Sequence, residues 1–447
     1  MPYETRPIPA VSRLIPKGLL DAGLVKRAAV YGLSGSLSSL LAFFLLPVLT
    51  RYLTPRDYGV VETFTTTVTC LTGIIIVGGN TIFAKEYFDH EPAGRRLLLG
   101  RIATLIFSSG AFIALAFLLI DSAGGFLSQL LKMGRELILL AIGAAALNAL
   151  VALTTTLLQV EKRAVSYAIF VNGKTLLEAA VSLSLIILCG WSWAGRIGGI
   201  AVSSLVFGML SLFFFKRLGA EFKLPARDAR RLILLGLPLI AAHVSVWIYG
   251  MVDRVMINNL FSLEATGIYS VGFRFGTVVA MVDTACSIAW MPFFYENIRS
   301  TSIEVNERLV RLTYYYVLGL FLFASAFGLS THWLIPAMVD RRFATARQFA
   351  LLICFAFWFS GVWKIFGIYL IAKGKNKLYG CISSGVALMH IGLTYFLLIR
   401  MGVVGAAWAT MFTYAIATCV TIAYAVNLHP MPWGCIWRRR MEPIPVA

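Results

Sequence analysis

Four runs of the chain, Leu137–Leu158, Ile197–Phe215, Leu232–Val252 and Gly402–Val426, carry no Asp, Glu, Lys or Arg at all. Each is about as long as the roughly 20 apolar residues that take a helix across the hydrocarbon core of a bilayer. Only 13% of the 447 residues are charged and 59% are apolar, against about 25% charged in an average soluble protein. Too few charges remain to cover a water-facing surface over so many apolar runs. A window of about 19 residues resolves eight more candidate spans: Ala28–Thr50, Val60–Thr81, Leu97–Ile120, Tyr167–Cys189, Ile268–Trp290, Leu312–Ile335, Phe349–Ile371 and Leu378–Ile399. The fold class expected is therefore an all-α integral membrane protein with twelve transmembrane helices. A secreted disulfide scaffold, a coiled coil and a soluble enzyme with a Rossmann domain are excluded. The seven cysteines lie singly, with no CxxC pair, so neither a zinc site nor a disulfide framework is expected. The first 25 residues lack an apolar stretch before a small-residue cleavage site, and no cleaved signal peptide is expected.

The formal net charge is +18. In a soluble protein that excess would raise the question of nucleic acid, but here the cations sit between apolar runs, and no nucleic-acid partner is expected. Counted by side, 25 Lys and Arg fall in the N-terminal arm, alternate loops and the tail, and 10 in the opposite loops. The larger group includes Lys216–Arg231, the longest basic connector, and Arg438, Arg439 and Arg440. The bias predicts that both termini are cytoplasmic, which requires an even number of spans. The expected organisation is a cytoplasmic arm (1–27), an N-lobe of six spans (28–215), a basic linker (216–231), a C-lobe of six spans (232–426) and a cytoplasmic tail (427–447). Offsets near 208–212 align the two halves: Gly59 meets Gly267 and Thr69 meets Thr277 at 208, and Arg163 meets Lys375 at 212. Identities are few, but span order and basic loops coincide, as parallel repeats require.

Charges at membrane depth cost roughly 2.5–3.5 kcal/mol each on translocon scales and face protein or a water-filled cavity. The spans hold Glu62, Lys174, Glu178, Arg274, Asp283 and Lys364, and Asp253 and Arg254 close the seventh. Arg274 lies seven residues into its span, about 10 Å deep at 1.5 Å per residue. It is read either as a partner of Asp253 or Glu62 or as a cation lining a cavity. Lys174 and Glu178 are spaced i,i+4 and can neutralise each other, or present a phosphate-binding cation beside a titratable carboxylate. Asp283 fits a capping or solvated role as well as ion coupling. Snorkelling accounts for Lys364, with substrate binding the alternative. The serines of the first span (Ser34, Ser36, Ser38, Ser39) and the threonines of the second (Thr63, Thr65, Thr66, Thr67, Thr69, Thr72) mark close helix packing or a hydrated wall. His243 and His390 stand alone in apolar runs and read as satisfied core residues. No HExxH, GxSxG or Walker A pattern occurs, so no catalytic residue, metal or cofactor is expected.

The stretch Leu46-Pro47-Val48-Leu49-Thr50-Arg51-Tyr52-Leu53-Thr54-Pro55-Arg56-Asp57-Tyr58-Gly59 resembles the polysaccharide (Wzx-type O-antigen) flippases of the multidrug/oligosaccharidyl-lipid/polysaccharide exporter superfamily. Gly402-Val403-Val404-Gly405-Ala406-Ala407-Trp408-Ala409-Thr410, Lys373-Gly374-Lys375 and Gly267-Ile268-Tyr269-Ser270 are similar to further segments of that family. Pro55 and Gly59 suit a tight extramembrane turn, and Asp57 can cap the second span. The resemblance implies two six-helix lobes around a central cavity in the bacterial inner membrane. It also implies alternating access and an undecaprenyl-pyrophosphate-linked oligosaccharide as substrate, with a polysaccharide polymerase, a chain-length regulator and membrane lipids as partners. For that substrate the candidate binding cations are Arg274, Lys174, Arg254 and Lys364. The candidate ion-coupling carboxylates are Glu178, Glu62, Asp283 and Asp253. The alternatives are a cation-coupled multidrug antiporter of the same superfamily, many of which use an Asp in span one that is absent here, and a membrane-embedded glycosyltransferase or scaffold. Related lipid flippases with two extra helices carry arginines in span one, and this chain has none there.

The orientation is open to a direct check. In a cysteine-free background, a single cysteine placed within 341–347 is expected to react with an impermeant maleimide in intact cells. One placed within 216–231 is expected to stay unlabelled. The opposite pattern inverts the topology.

Overall fold

The computed structural model describes residues 32, 34–35, 37–122, 124–298, 302–428 and 431–434. The expected N-terminal arm, Arg299, Cys435 and Arg438–Arg440 lie outside the described residues. Among the described residues the chain is helical, without strands. In order the helices are α1 (Leu37–Tyr52), α2 (Pro55–Ile75), α3 (Gly79–Glu86), α4 (Pro92–Ser122), α5 (Phe126–Leu131), α6 (Arg135–Val160) and α7 (Ala164–Ile187). They continue with α8 (Trp193–Arg217), α9 (Ala226–Leu260), α10 (Leu263–Asn297), α11 (Ile303–Met338), α12 (Arg347–Ala372), α13 (Asn376–Met401) and α14 (Val404–Leu428). Among the described residues ten helices are long and apolar enough to cross a membrane, and α2 with α3, bent by 44°, makes an eleventh if the pair is one span. The shorter α1 stands where the first of the twelve expected spans begins to be described.

Three expectations change. The second span is broken, because Val77 (φ 51°) and Gly78 (φ 64°) are left-handed, and a run of such residues cannot continue a right-handed helix. The seventh and eighth spans are longer than their apolar runs, each lying in a 35-residue helix. Asp253 and Arg254 are therefore inside α9 rather than closing it. The basic linker is also half helical, since α8 runs to Arg217 and α9 starts at Ala226.

The largest apolar core draws on α2–α6 and α8, with Leu232 of α9 joining it, and includes Phe64, Ile75, Phe83, Ile102, Leu150 and Phe215. The second half builds its own clusters, one around Phe294, Phe366 and Tyr369 and another around Tyr269, Phe349 and Ile353. What joins the halves is the crossing of α2 with α10, and it is reciprocal. A Cβ on Gly59 would stand 1.9 Å from the Leu263 carbonyl oxygen, and one on Gly267 would stand 2.0 Å from that of Pro55. Pro55 and Leu263 open their helices, and both pairs obey the 208-residue offset. The caps obey it too. Thr54 Oγ1 accepts from the Asp57 amide at 3.1 Å and Ser262 Oγ from the Ala265 amide at 3.1 Å. The Asp57 carboxylate in turn accepts from the Thr54 amide at 3.0 Å, completing a capping box. Gly59 thus serves the backbone approach one turn into α2, not the turn before it.

At this end of the bundle, side chains also clasp backbone carbonyls across the halves. Asn258 and Asn259 donate to the carbonyls of Leu131 and Leu130 at 3.3 and 2.9 Å, and the Lys132 ammonium reaches the Asn258 carbonyl. Arg342 donates to the carbonyls of Thr50 and Arg51 at 3.3 and 3.1 Å. Hydrogen bonds from Arg342 hold the Asp340 carboxyl below the usual aspartate range. A depressed carboxylate keeps its partner until the pH falls below that range, so this clasp persists under mildly acidic conditions. At the opposite, basic end, Arg231 meets Glu86 at 2.6 Å and Arg101 meets Asp228 at 3.1 Å.

The close crossing generates a prediction. Gly59→Leu and Gly267→Leu are each expected to destabilise the detergent-solubilised protein by about 1–3 kcal/mol or more, the range for overpacking. Gly143→Leu, where an added Cβ meets nothing within 4 Å, is expected to leave the thermal midpoint nearly unchanged. Equal midpoints for all three would refute the close approach.

Candidate functional site

The intramembrane charges fall into three clusters. In the central one, Glu62 of α2 faces two arginines of the other half. Arg274 of α10 donates to Glu62 through Nη2 at 2.5 Å and Nε at 3.2 Å, and Arg254 Nε lies 3.5 Å from the second oxygen. Arg254 Nη1 also meets Asp253 at 3.3 Å and the Gly250 carbonyl at 3.0 Å. Its guanidinium sits 4.1 Å from the centre of the Phe273 ring, a cation–π placement. Asp253 is completed by the Tyr269 hydroxyl. The four charges sum to zero, as burial demands. Glu62, Asp253 and Arg254 are buried, but the Arg274 side chain keeps 30% of its surface.

That exposed surface faces a cavity of about 450 Å³ between α1 and α10. Arg274 caps it, and Ser39, Thr277 and Thr284 supply hydroxyls beside Gly35, Phe43 and Met281. The cavity lies on the basic-end side of the Glu62–Arg274 pair, because both α1 residues and α10 residues 277–284 lead away from the glycine crossing. Arg274 is the twelfth residue of α10, roughly 16 Å from its start at 1.5 Å per residue. It is therefore deeper than the apolar run alone indicates.

The second cluster joins α7 and α8. Lys174 lies 3.5 Å from Glu178 as the i,i+4 spacing predicts, but Arg196 makes the shorter contact at 2.7 Å and also donates to Ser182 at 3.0 Å. In the sequence Arg196 immediately precedes the sixth apolar run. α8 begins three residues earlier, at Trp193, and the helix carries this guanidinium inward. In the third cluster Lys364 of α12 pairs with Asp283 of α10 and lies 3.2 Å from Ser287. The Tyr316 hydroxyl also binds Asp283. Lys364 thus ends on a carboxylate, against the snorkelling reading, and Asp283 is buried rather than solvated or capping. Of the eight candidates, Glu62, Asp253, Arg254 and Arg274 meet in one place. Lys174 with Glu178, and Lys364 with Asp283, stand apart.

The second-span threonines bond chiefly within their own helix, with Thr72 also reaching the Ala145 carbonyl of α6 at 3.4 Å. Thr63, Thr65, Thr67, Thr69 and Thr72 each donate to the carbonyl four residues back at 2.7–2.9 Å. The Thr66 carbonyl instead accepts from Trp247 Nε1 at 3.1 Å. In the first span, Ser38 donates to Asn172 of α7 at 3.0 Å. Ser36 lies outside the described residues. His390 is a core residue, buried against Thr413 at 2.9 Å, and His243 is half-buried, packing onto Gly73.

Removing the shared carboxylate leaves two guanidinium groups without their bridge. Glu62→Gln is expected to lower stability by about 3–5 kcal/mol, the cost of breaking a buried pair from one side. Glu62→Asp is expected to recover part of that in thermal unfolding. No loss in Glu62→Gln would show that Arg254 and Arg274 do not depend on it.

Comparison with known proteins places this geometry in a family. The family described as "Polysaccharide biosynthesis protein" matches residues 24–298. The "Lsg locus putative protein 1" of Haemophilus influenzae is 24% identical over 366 residues, covering 79% of this chain and 86% of that protein. An "Uncharacterized membrane protein" of the same organism is 23% identical over 290 residues, covering 64% and 68%. Among solved structures, the inward-facing conformation of a multidrug resistance MATE family transporter of the MOP superfamily superposes with a TM-score of 0.65 at 14% identity, covering 88% of this chain and 94% of that one. The MATE multidrug transporter DinF-BH in complex with R6G gives 0.59 at 15% identity, covering 98% and 100%. The fold is that of the MATE-like transporters, and the chain belongs to the polysaccharide biosynthesis protein family.

Proposed function

We propose that this membrane transporter carries undecaprenyl-pyrophosphate-linked oligosaccharide repeat units from the cytoplasmic to the outer leaflet of the bacterial inner membrane, with both termini cytoplasmic and without catalysing a covalent step. The observation that carries the reading is the Arg274 guanidinium, partly exposed at the head of a hydroxyl-lined cavity. A pyrophosphate diester needs such a cation, and a cationic drug does not. The two-lobe organisation is supported by the reciprocal crossing at Gly59 and Gly267, where two equivalent helices pivot on each other.

The proposed step is an exchange of partners. In the arrangement described, Glu62 occupies Arg274 and holds α2 to α10. A pyrophosphate entering the cavity competes with Glu62 for that guanidinium and so loosens the joint. Arg254, anchored by Asp253, keeps Glu62 from being left as an unpaired buried charge. The halves then separate at the glycine end and close at the basic end. The Lys174–Glu178 and Lys364–Asp283 clusters flank this path. Lys174 and Lys364 are further candidate contacts for the anionic head, and Glu178, Asp283, Asp253 and Glu62 are the carboxylates available for ion coupling. Moving about two negative charges outward gains about 2.3 kcal/mol per charge for each 100 mV of potential. A polymerase and chain-length regulator are the proposed downstream partners. The drug-antiporter reading gains nothing from α1, whose described residues include no carboxylate.

The test is a deletion strain assayed for lipid-linked repeat units on each leaflet and complemented with variants. Wild type is expected to restore outer-leaflet material. Arg274→Lys is expected to restore part of it, and Arg274→Ala at equal expression less than a tenth. Wild-type export by Arg274→Ala would remove the cation from the mechanism. Failure of the wild type to restore export would overturn the substrate assignment.

A further inference from the structure

A second and larger cavity, about 730 Å³, lies between α3 and the start of α9. Its rim carries Lys85 from α3 and Arg227, Arg230 and Arg231 from α9. Arg231 is taken by Glu86 at 2.6 Å. The other three cations are exposed and have no carboxylate partner among the described residues. Below the rim the wall turns apolar, through Leu234, Leu235 and Leu239. Leu234 and Leu235 keep 58% and 47% of their surface. From Arg227 to Leu239 the face of α9 descends about 18 Å at 1.5 Å per residue, from charge into hydrocarbon.

We infer that this cavity is a binding site for one anionic phospholipid of the surrounding membrane, with its phosphate among Lys85, Arg227 and Arg230 and an acyl chain along Leu234, Leu235 and Leu239. Basic pockets between transmembrane helices on the cytoplasmic side hold such headgroups. A free phosphate explains the cations and leaves the leucine wall unused. A neutral lipid explains the leucines and leaves three convergent cations uncompensated. The site has one wall from each half of the chain. A bound lipid therefore fastens α3 to α9 beside the Glu86–Arg231 pair, and the composition of the membrane sets how firmly the basic end is held. This inference concerns a site separate from the Arg274 cavity and does not depend on the transported substrate.

The test is native mass spectrometry of the full-length protein with phosphatidylglycerol and phosphatidylcholine of identical acyl chains. The expected result is one phosphatidylglycerol retained in preference to phosphatidylcholine. At roughly fivefold per cation near a membrane surface, Lys85→Gln/Arg227→Gln/Arg230→Gln is expected to weaken retention about a hundredfold. The matched triple Lys373→Gln/Lys375→Gln/Lys377→Gln, in another basic loop, is expected to retain the lipid as wild type does. Leu234→Ser/Leu235→Ser is expected to weaken retention with every charge in place, and millimolar inorganic phosphate is not expected to displace the lipid. Should the first triple fail to fold, Arg230→Gln alone is expected to show about a fivefold loss. Undiminished retention in the rim variants, or equal loss in the two triples, overturns the site. Displacement by inorganic phosphate overturns it in favour of a free-anion site. Stronger retention of a polyprenyl pyrophosphate than of phosphatidylglycerol overturns it in favour of an entry point for the substrate.

Discussion

Glu62 is one carboxylate shared by two guanidinium groups, and the centre of the bundle depends on that sharing. Arg254 and Arg274 come from consecutive helices of the second half, and Glu62 comes from the first. In hydrocarbon neither arginine is tolerable unpaired. The single carboxylate therefore selects the helix that must stand between them, and with it the register of α2 against α9 and α10. The Asp253–Tyr269 pair supplies the remaining negative charge and fixes Arg254, leaving Arg274 as the member with freedom to face a cavity. The same balance that makes the bundle foldable thus leaves one cation available for chemistry.

The glycine crossing completes that constraint. Glu62 reaches both arginines only because Gly59 and Gly267 let two backbones approach where side chains would hold them apart. The reciprocity of the contact says why those glycines occur as a pair. Gly59 faces the first residue of α10 and Gly267 the first residue of α2, so each helix supplies the gap that the other's start fills. The ion pair lies inward of the glycine crossing on the same two helices, so α2 and α10 are fastened by both polar and steric means. Towards the basic end, α1 and α10 enclose the cavity.

The sequence showed the spans because length and the absence of charge are one-dimensional properties. It also showed the Thr54–Asp57 cap, which is local. The pairing of Arg274 with Glu62 was one of two partners that membrane depth allowed, and depth alone could not choose between them. Arg196 was missed because it borders an apolar run. Only the helix start at Trp193, set by the preceding turn, carries it inward. Lys364 read as a snorkelling side chain because its partner Asp283 is distant in sequence and looked terminal. Neither α9 nor α10 stops where its apolar run stops. The break after Ile75 was hidden for a different reason. Val77 and Gly78 are apolar, and hydropathy is blind to φ.

The threonine ladder of α2 bears on how this helix can move. Five hydroxyls are bound to carbonyls of their own helix, so they need no partner on α6, α9 or α10. What those side chains turn outward is methyl. A polar helix that satisfies its own donors behaves towards its neighbours as a greased rod. Along the threonine face the friction is that of dispersion contacts, each about 0.1–0.2 kcal/mol per atom pair, and the directional bonds that resist sliding are those of Glu62 to its two arginines, of the Thr66 carbonyl to Trp247 and of Thr72 to the Ala145 carbonyl. Such back-bonding also favours bending, and the chain bends within a turn of Thr72. Once the Glu62 bonds are exchanged, the polar atoms of the threonine ladder therefore add little resistance to a shift of α2.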